Sequence, residues 1–201
     1  MRYKYVTIER EYGSGGTEIA KKLAKECGIP CYGREILEHV AKEQNIAVEE
    51  IDRYEETVTN SFLYTIFVLG RVQNGESDML TEEGHIFVAE QSAIMKLAAQ
   101  GSSIFVGHCA DEALKDINGV LRVFIQSDKA NKKERIEKEY HILAEDVESV
   151  RSRYDKKRAN YYYANTGRKW TNTKNYDLIL DSGKLGIGGC VAAIKGVFTG
   201  N

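Results

Sequence analysis

The sequence predicts an α/β protein with a mostly parallel sheet covered by helices on both faces. Short β-branched runs alternate with stretches of helical periodicity along the chain, and a glycine-rich turn separates the first run from the first helix. A length of 201 residues buries a substantial core without a disulfide or metal staple, so one domain is expected.

Residues 3–9 (YKYVTIE) read as a strand. Arg10 to Gly16 then holds three glycines within four positions, and Thr17 opens the helical run Ile19, Ala20, Leu23, Ala24. Gly28-Ile29-Pro30 ends that helix, because glycine accepts the left-handed cap and proline cannot continue. A short extended piece at 30–32 leads to a helix over about 34–45, and residues 48–56 suggest another. The apolar stretch 62–72 is long for a strand and reads as helix, with a turn or exposed loop at 73–76. From Thr81 the spacing of Ile86, Ala89, Ile94, Leu97 and Ala98 predicts a helix of about 18 residues that Gly101 stops. Ser103–Val106 (SIFV) is a buried strand, Gly107-His108-Cys109-Ala110-Asp111 turns into a short helix over 109–116, and 119–125 is a further strand. A charged helix over 128–139 and a long polar helix over 144–162 follow, then the Tyr161-Tyr162-Tyr163 cluster and an Asn165-Thr166-Gly167-Arg168 loop. A strand at 177–180, a polar turn at 181–183 and a helix over 186–197 complete the chain. Strands separated by helices make a parallel sheet the economical arrangement.

Charged residues form 29% of the chain with a net charge of -2, so no global field draws nucleic acid or an anionic membrane. No apolar run approaches the roughly 20 residues that span a bilayer. The N-terminal Met1-Arg2-Tyr3-Lys4 leads into a strand and not into a signal-peptide core. A cytoplasmic protein without nucleic-acid or membrane partners is expected. Cys27, Cys31, Cys109 and Cys190 contain no C-x-x-C pair, and only His39 lies near the first two, so buried thiols in a reducing compartment are expected in preference to zinc. A single proline and the lack of low-complexity sequence argue against a disordered linker.

Gly13-Ser14-Gly15-Gly16-Thr17 sits where the first strand meets its helix, the place where α/β sheets bind ligands. Small residues let backbone N–H groups and the helix N-terminus face a phosphate, with the Thr17 hydroxyl directed at a phosphate or a magnesium ion. Laid on G-x-x-x-x-G-K-[ST], Gly15 is the second glycine, Gly16 stands at the lysine position and Arg10 at the first glycine. A structural glycine turn is the alternative.

Arg151, Asp155 and Arg158 are spaced i, i+4, i+7 and share a helical face. Two guanidiniums around a carboxylate suit a phosphorylated ligand, whereas a solvated helix with local ion pairs is the plain alternative. Arg135 and Arg153 could add charge over a reacting phosphate in a closing lid, or cover ordinary surface. Arg34 could reach an acceptor phosphate or pair with Glu35 or Glu38. Asp111 lies beyond the third strand, near the ligand or favouring a helix start. Asp181 contributes to the pocket or to a turn. The tyrosine cluster with Trp170 reads as packing of the lid helix against the sheet.

Taken together, these motifs resemble the cytidylate-kinase-like family of nucleoside monophosphate kinases. The resemblance rests on Ile8-Glu9-Arg10-Glu11-Tyr12-Gly13-Ser14-Gly15-Gly16, Tyr32-Gly33-Arg34-Glu35-Ile36-Leu37, Gly107-His108-Cys109-Ala110-Asp111, the stretch 155–170 and the stretch 176–186, and residues 46–80 carry least of it. It implies a three-layer P-loop kinase-like fold with a five-stranded parallel sheet. The implied core is approximately 1–32, 81–127 and 175–201, with a helical substrate-binding region over 33–80 and a lid with basic helices over 128–174. It further implies magnesium-dependent phosphoryl transfer from ATP to CMP or dCMP. In that scheme Gly13, Ser14, Gly15, Gly16 and Thr17 hold the donor and Thr17 the magnesium site. Arg34, Asp111, Arg151, Asp155 and Arg158 bind the acceptor, while Arg135, Arg153 and Arg158 stabilise the transferring group. Three positions depart from the family pattern: Gly16 replaces the loop lysine, His108 an arginine, and Gly33 an aspartate. A nucleotide-binding regulator, or a small-molecule kinase with another acceptor, is the alternative, and the exposed 58–80 region could form a homodimer surface.

Overall fold

A computed structural model describes residues 2–49 and 82–200. In chain order these form β1 (Tyr5–Arg10), α1 (Gly16–Cys27), β2 (Cys31–Tyr32), α2 (Arg34–Gln44), α3 (Glu82–Ala99), β3 (Ser103–Val106), α4 (Ala110–Ala113), β4 (Val120–Gln126), α5 (Lys129–Tyr140), α6 (Val147–Thr166), β5 (Leu178–Asp181) and α7 (Ser182–Thr199). The strands make one five-stranded parallel sheet in the order β2-β3-β1-β4-β5. β1 is central, and Ile8 stands opposite both Val106 of β3 and Val123 of β4.

Strand alternation builds the three layers. Val6 and Ile8 face Ile19 and Leu23 of α1 and Val191, Ile194 and Phe198 of α7. Tyr5 and Phe105 face the opposite side, against Ile36, Leu37 and Val40 of α2 and Ile94 and Leu97 of α3. Beside this second layer, Phe124 of β4 packs with Cys109, Tyr162 of α6 and Trp170. The three-layer α/β architecture is therefore as the sequence indicates. Because β1 has its neighbours' crossovers running to opposite sides, the crevice beyond its C-terminal end is the topological switch point of the sheet.

The ends of several elements differ from expectation. α6 runs on to Thr166, so the tyrosine cluster and Asn165 lie inside the helix and not after it. Asn165 Nδ2 donates to the Tyr161 carbonyl at 2.9 Å and Thr166 Oγ1 to the Tyr162 carbonyl at 2.6 Å, which lets these polar residues continue the helix until the left-handed Gly167. The polar segment after β5 is the first turn of α7: Asp181 caps it, accepting from the backbone of Gly183 and Lys184. Gly186, at φ 68°, ψ 168°, then breaks the helical path within α7. α4 is one turn, shorter than its apolar spacing suggests. Cys109 and Cys190 are buried, whereas Cys27 and Cys31 are only partly so. The helices expected at 48–56 and 62–72, the homodimer surface at 58–80 and most of the 33–80 region lie outside the described residues. Among the described residues no helix is long and apolar enough to cross a membrane.

Candidate active site

The glycine loop leaves β1 at the switch point and is held from four sides. Glu11 N–H extends the ladder to the Ile125 carbonyl of β4 at 3.0 Å. Ser182 Oγ, at the start of α7, donates to the Ser14 carbonyl at 2.6 Å. Lys132 of α5, buried, donates to Glu11 Oε2 at 2.8 Å. From α6, Asp155 Oδ1 accepts the Tyr12 N–H at 2.7 Å. The Tyr12 ring stacks on Tyr154 with centroids 4.5 Å apart and meets Tyr140 edge-on at 5.2 Å.

The glycines fit this packing. Gly13 has φ +80°, and a Cβ there would lie 2.9 Å from Ile136 Cδ1. Gly15 has φ +73°, and its Cβ would lie 2.6 Å from Ile187 Cδ1, just past the Gly186 break, and 3.2 Å from Arg135 Cζ. Gly16 begins α1, and Thr17 is exposed in its first turn. Ser14 is buried with its hydroxyl turned back to the Glu11 carbonyl at 2.8 Å, so its side chain serves the turn. A loop of this shape at the start of a twelve-residue helix presents backbone and helix dipole to an anion.

A cavity of about 330 Å³ opens beyond β1 and β3, between α2 and α6. Its walls include the cations Arg10, Arg34, Lys157 and Arg158, together with His108, Glu9 and the rings of Tyr154, Tyr161 and Tyr162. Arg158 Nη1 donates to the Arg10 carbonyl at 2.9 Å. Burial, and the Arg10 guanidinium nearby, push the Arg158 pKa down to about 10. The guanidinium keeps its charge at neutral pH, and an anion bound beside it would offset the burial that depresses the value. Glu9 is the carboxylate in the wall; its Oε2 accepts from Trp170 Nε1 at 3.0 Å, and burial raises its pKa.

The residues expected at the site divide. Arg34 and Arg158 line the cavity. Asp155 joins the loop to α6, and Arg151 pairs with it at 3.2 Å and with Glu148. Arg135 lies against Gly15 and is bridged to Glu18 at 2.9 Å and Glu139 at 2.7 Å. Arg153 is exposed, with its guanidinium 5.5 Å from the Tyr154 ring centre. Asp111 is buried outside the cavity wall, where its Oδ2 accepts from Tyr162 at 2.6 Å and Arg168 at 2.9 Å. Asp181 caps α7. Arg10, Glu9, Lys157 and Tyr154 were not singled out from the sequence as site residues. Arg10 left one trace there, at the position of the loop's first glycine.

Sheet order, loop and cavity define a P-loop kinase-like fold. The profile of the cytidylate kinase-like family matches residues 5–184, and the chain belongs to that family. No curated protein matches the sequence. Among solved structures, an uncharacterized protein from Eubacterium ventriosum ATCC 27560 is 25% identical with a TM-score of 0.73, covering 98% of this chain and 99% of its own. Shikimate kinase from Bacteroides thetaiotaomicron shares the fold at 12% identity and TM-score 0.54, over 97% and 98% of the two chains. Shikimate kinase from Acinetobacter baumannii, in complex with shikimate, does so at 11% and 0.52, over 99% and 94%.

Proposed function

We propose that the protein transfers the terminal phosphoryl of ATP to a nucleoside monophosphate, with CMP or dCMP as acceptor. The observation that carries this reading is the placement of a cationic cavity beside the glycine loop at one strand end. A donor on the loop and an acceptor phosphate in the cavity would meet there, and family membership supports the reaction class.

The Gly13–Thr17 loop holds the donor phosphates. Magnesium enters with ATP as part of the substrate: among the described residues no cluster of His, Cys, Asp and Glu is set to hold a metal. The exposed Thr17 hydroxyl beside the phosphates suits an ion that keeps most of its waters and phosphate ligands. The bound ion neutralises charge on the phosphates. Arg34 and Arg158 grip the acceptor phosphate, and the tyrosine walls flank its base and sugar. Asp155 and Arg151 keep α6 and the loop in register. Arg135, beside Gly15, is placed to approach the donor phosphates once it exchanges its carboxylate partners. Arg153, exposed at the lid, closes over the transferring group.

An oxygen of the acceptor phosphate attacks the γ-phosphorus in line, a new P–O bond forms, and the bond to the β,γ-bridging oxygen breaks. ADP departs with that electron pair. The attacking oxygen is already anionic, so no general base is required.

Incubation with ATP or GTP and magnesium across a panel of nucleoside monophosphates, with products separated, tests the proposal. Selective CDP or dCDP formation that collapses in Arg158→Ala supports it. No diphosphate from any acceptor, with an active control kinase in parallel, overturns it and favours a nucleotide-binding regulator.

A further inference from the structure

Arg10 occupies the first-glycine position of a phosphate loop and Gly16 its lysine position. In space these two departures are one arrangement. A Cβ on Gly16 would lie 2.5 Å from Arg10 Cβ and 2.9 Å from its Cγ, so the Arg10 stem fills the room in which a lysine at position 16 would begin. The side chain then crosses to the end of β3, where a Cβ on Gly107 would overlap the Arg10 guanidinium. Arg10 and Gly107, the residue its guanidinium lies against, both line the cavity. Arg10 thus touches the donor loop with its stem and the acceptor cavity with its charged head, and Arg158 fixes its carbonyl at 2.9 Å.

The geometry points to Arg10 as a catalytic residue that supplies, from the strand, the charge a loop lysine supplies from the helix. This assignment rests on the kinase reading for its substrate. The transferred phosphoryl passes between loop and cavity, where the guanidinium lies. As bonds form to the acceptor oxygen and break to the ADP oxygen, charge spreads over the equatorial oxygens. A planar, permanently charged donor with paired N–H groups can follow two of those oxygens at once. The pairing also accounts for Gly16: with the Arg10 stem in place, only glycine fits there.

The test compares Arg10→Gly, Arg10→Met, Gly16→Lys and the two double variants that join Gly16→Lys to each Arg10 change. Steady-state kinetics with MgATP and CMP are read beside calorimetric affinities for MgATP and MgADP and thermal melts. Arg10→Met retains a stem without charge, which separates packing from electrostatics. Both Arg10 variants should lose about 100-fold in kcat with the CMP KM within about threefold, the scale for removing one transition-state donor. Their preference for MgATP over MgADP should fall about tenfold, since the lost contact is to the terminal phosphate. Gly16→Lys should restore about tenfold of the rate in the Arg10→Gly background, where the Cβ that blocks position 16 is gone, and none in the Arg10→Met background. A kcat within about threefold of wild type, an unchanged MgATP/MgADP ratio, or a change confined to the CMP KM would overturn the assignment. Absence of diphosphate from the wild type would sink the kinase reading alone, because the MgATP/MgADP ratio still reads Arg10.

Discussion

The backbone N–H of Tyr12 donates to Asp155 Oδ1 at 2.7 Å, which ties the glycine-rich turn to a helix 143 residues further along the chain. The same carboxylate receives Arg151 at 3.2 Å, and Arg158 stands 4.0 Å away. The acid at the centre of the Arg-Asp-Arg face is therefore a brace between two parts of the site.

Removing that brace should loosen the loop. Asp155→Ala is expected to lose about 2 kcal/mol of stability, the scale of a partly buried hydrogen bond to a charged group. Hydrogen exchange at the Tyr12 amide should accelerate in Asp155→Ala and stay near wild type in Asp155→Asn, whose amide oxygen still accepts. Equal protection in both variants would show that the bond does not hold the loop.

Gly13 is under two constraints, a φ of +80° and a prospective Cβ 2.9 Å from Ile136 Cδ1. Gly13→Ala should cost about 2–3 kcal/mol, from left-handed strain plus overpacking, and lower the melting temperature by roughly 5–10 °C. Adding Ile136→Val should return part of the loss and leave the strain. An additive double variant would mean that Ile136 is not the obstacle.

Asp111 is buried, with Arg168 Nη2 at 2.9 Å from its Oδ2. Arg168→Ala strands that carboxylate, and a loss of about 3 kcal/mol is expected. Asp111→Asn in the same chain removes the stranded charge, so denaturant titration should find the double variant more stable than Arg168→Ala alone. A double variant no better than the single would place the role of Arg168 in packing over Tyr162, whose ring centre lies 5.3 Å from its guanidinium.

Burial raises the Glu9 pKa above its ordinary 4.5, with the neighbouring Arg10 acting in the other direction. The folded state therefore keeps a proton that the unfolded chain has released, and wild-type stability falls as pH rises from about 4.5 through the folded value. Glu9→Gln retains an acceptor for Trp170 and carries no such slope. Its melting temperature relative to wild type should increase from pH 4 to pH 8; a constant offset would show that Glu9 titrates normally.

The sheet and the loop were legible because their signals are local. β-Branched runs, a glycine cluster and a glycine-proline stop each act within a few residues. The shared face of Arg151, Asp155 and Arg158 was legible for the same reason, since helical spacing alone sets it. What that face touches was not, because the partner of Asp155 is a backbone amide in another element. No local signal marks Glu9 or Lys132 for burial, yet both are buried, one against Trp170 and the other against Glu11. The lengthened α6 escaped because side-chain bonds from Asn165 and Thr166 to the preceding turn offset their weak helix preference.

β1 places Glu9 and Arg10 in succession, and a strand turns successive side chains to opposite faces. One goes to the indole of Trp170 and the other over Gly16. A slip of β1 by a single residue would invert this polarity, setting a carboxylate over the glycine turn and a guanidinium against the indole. The alternation of Val6 and Ile8 that seats the strand in its core thus also decides which sign of charge lies over Gly16. An insertion between Ile8 and Gly13 would strike hydrophobic fit and electrostatic sense together.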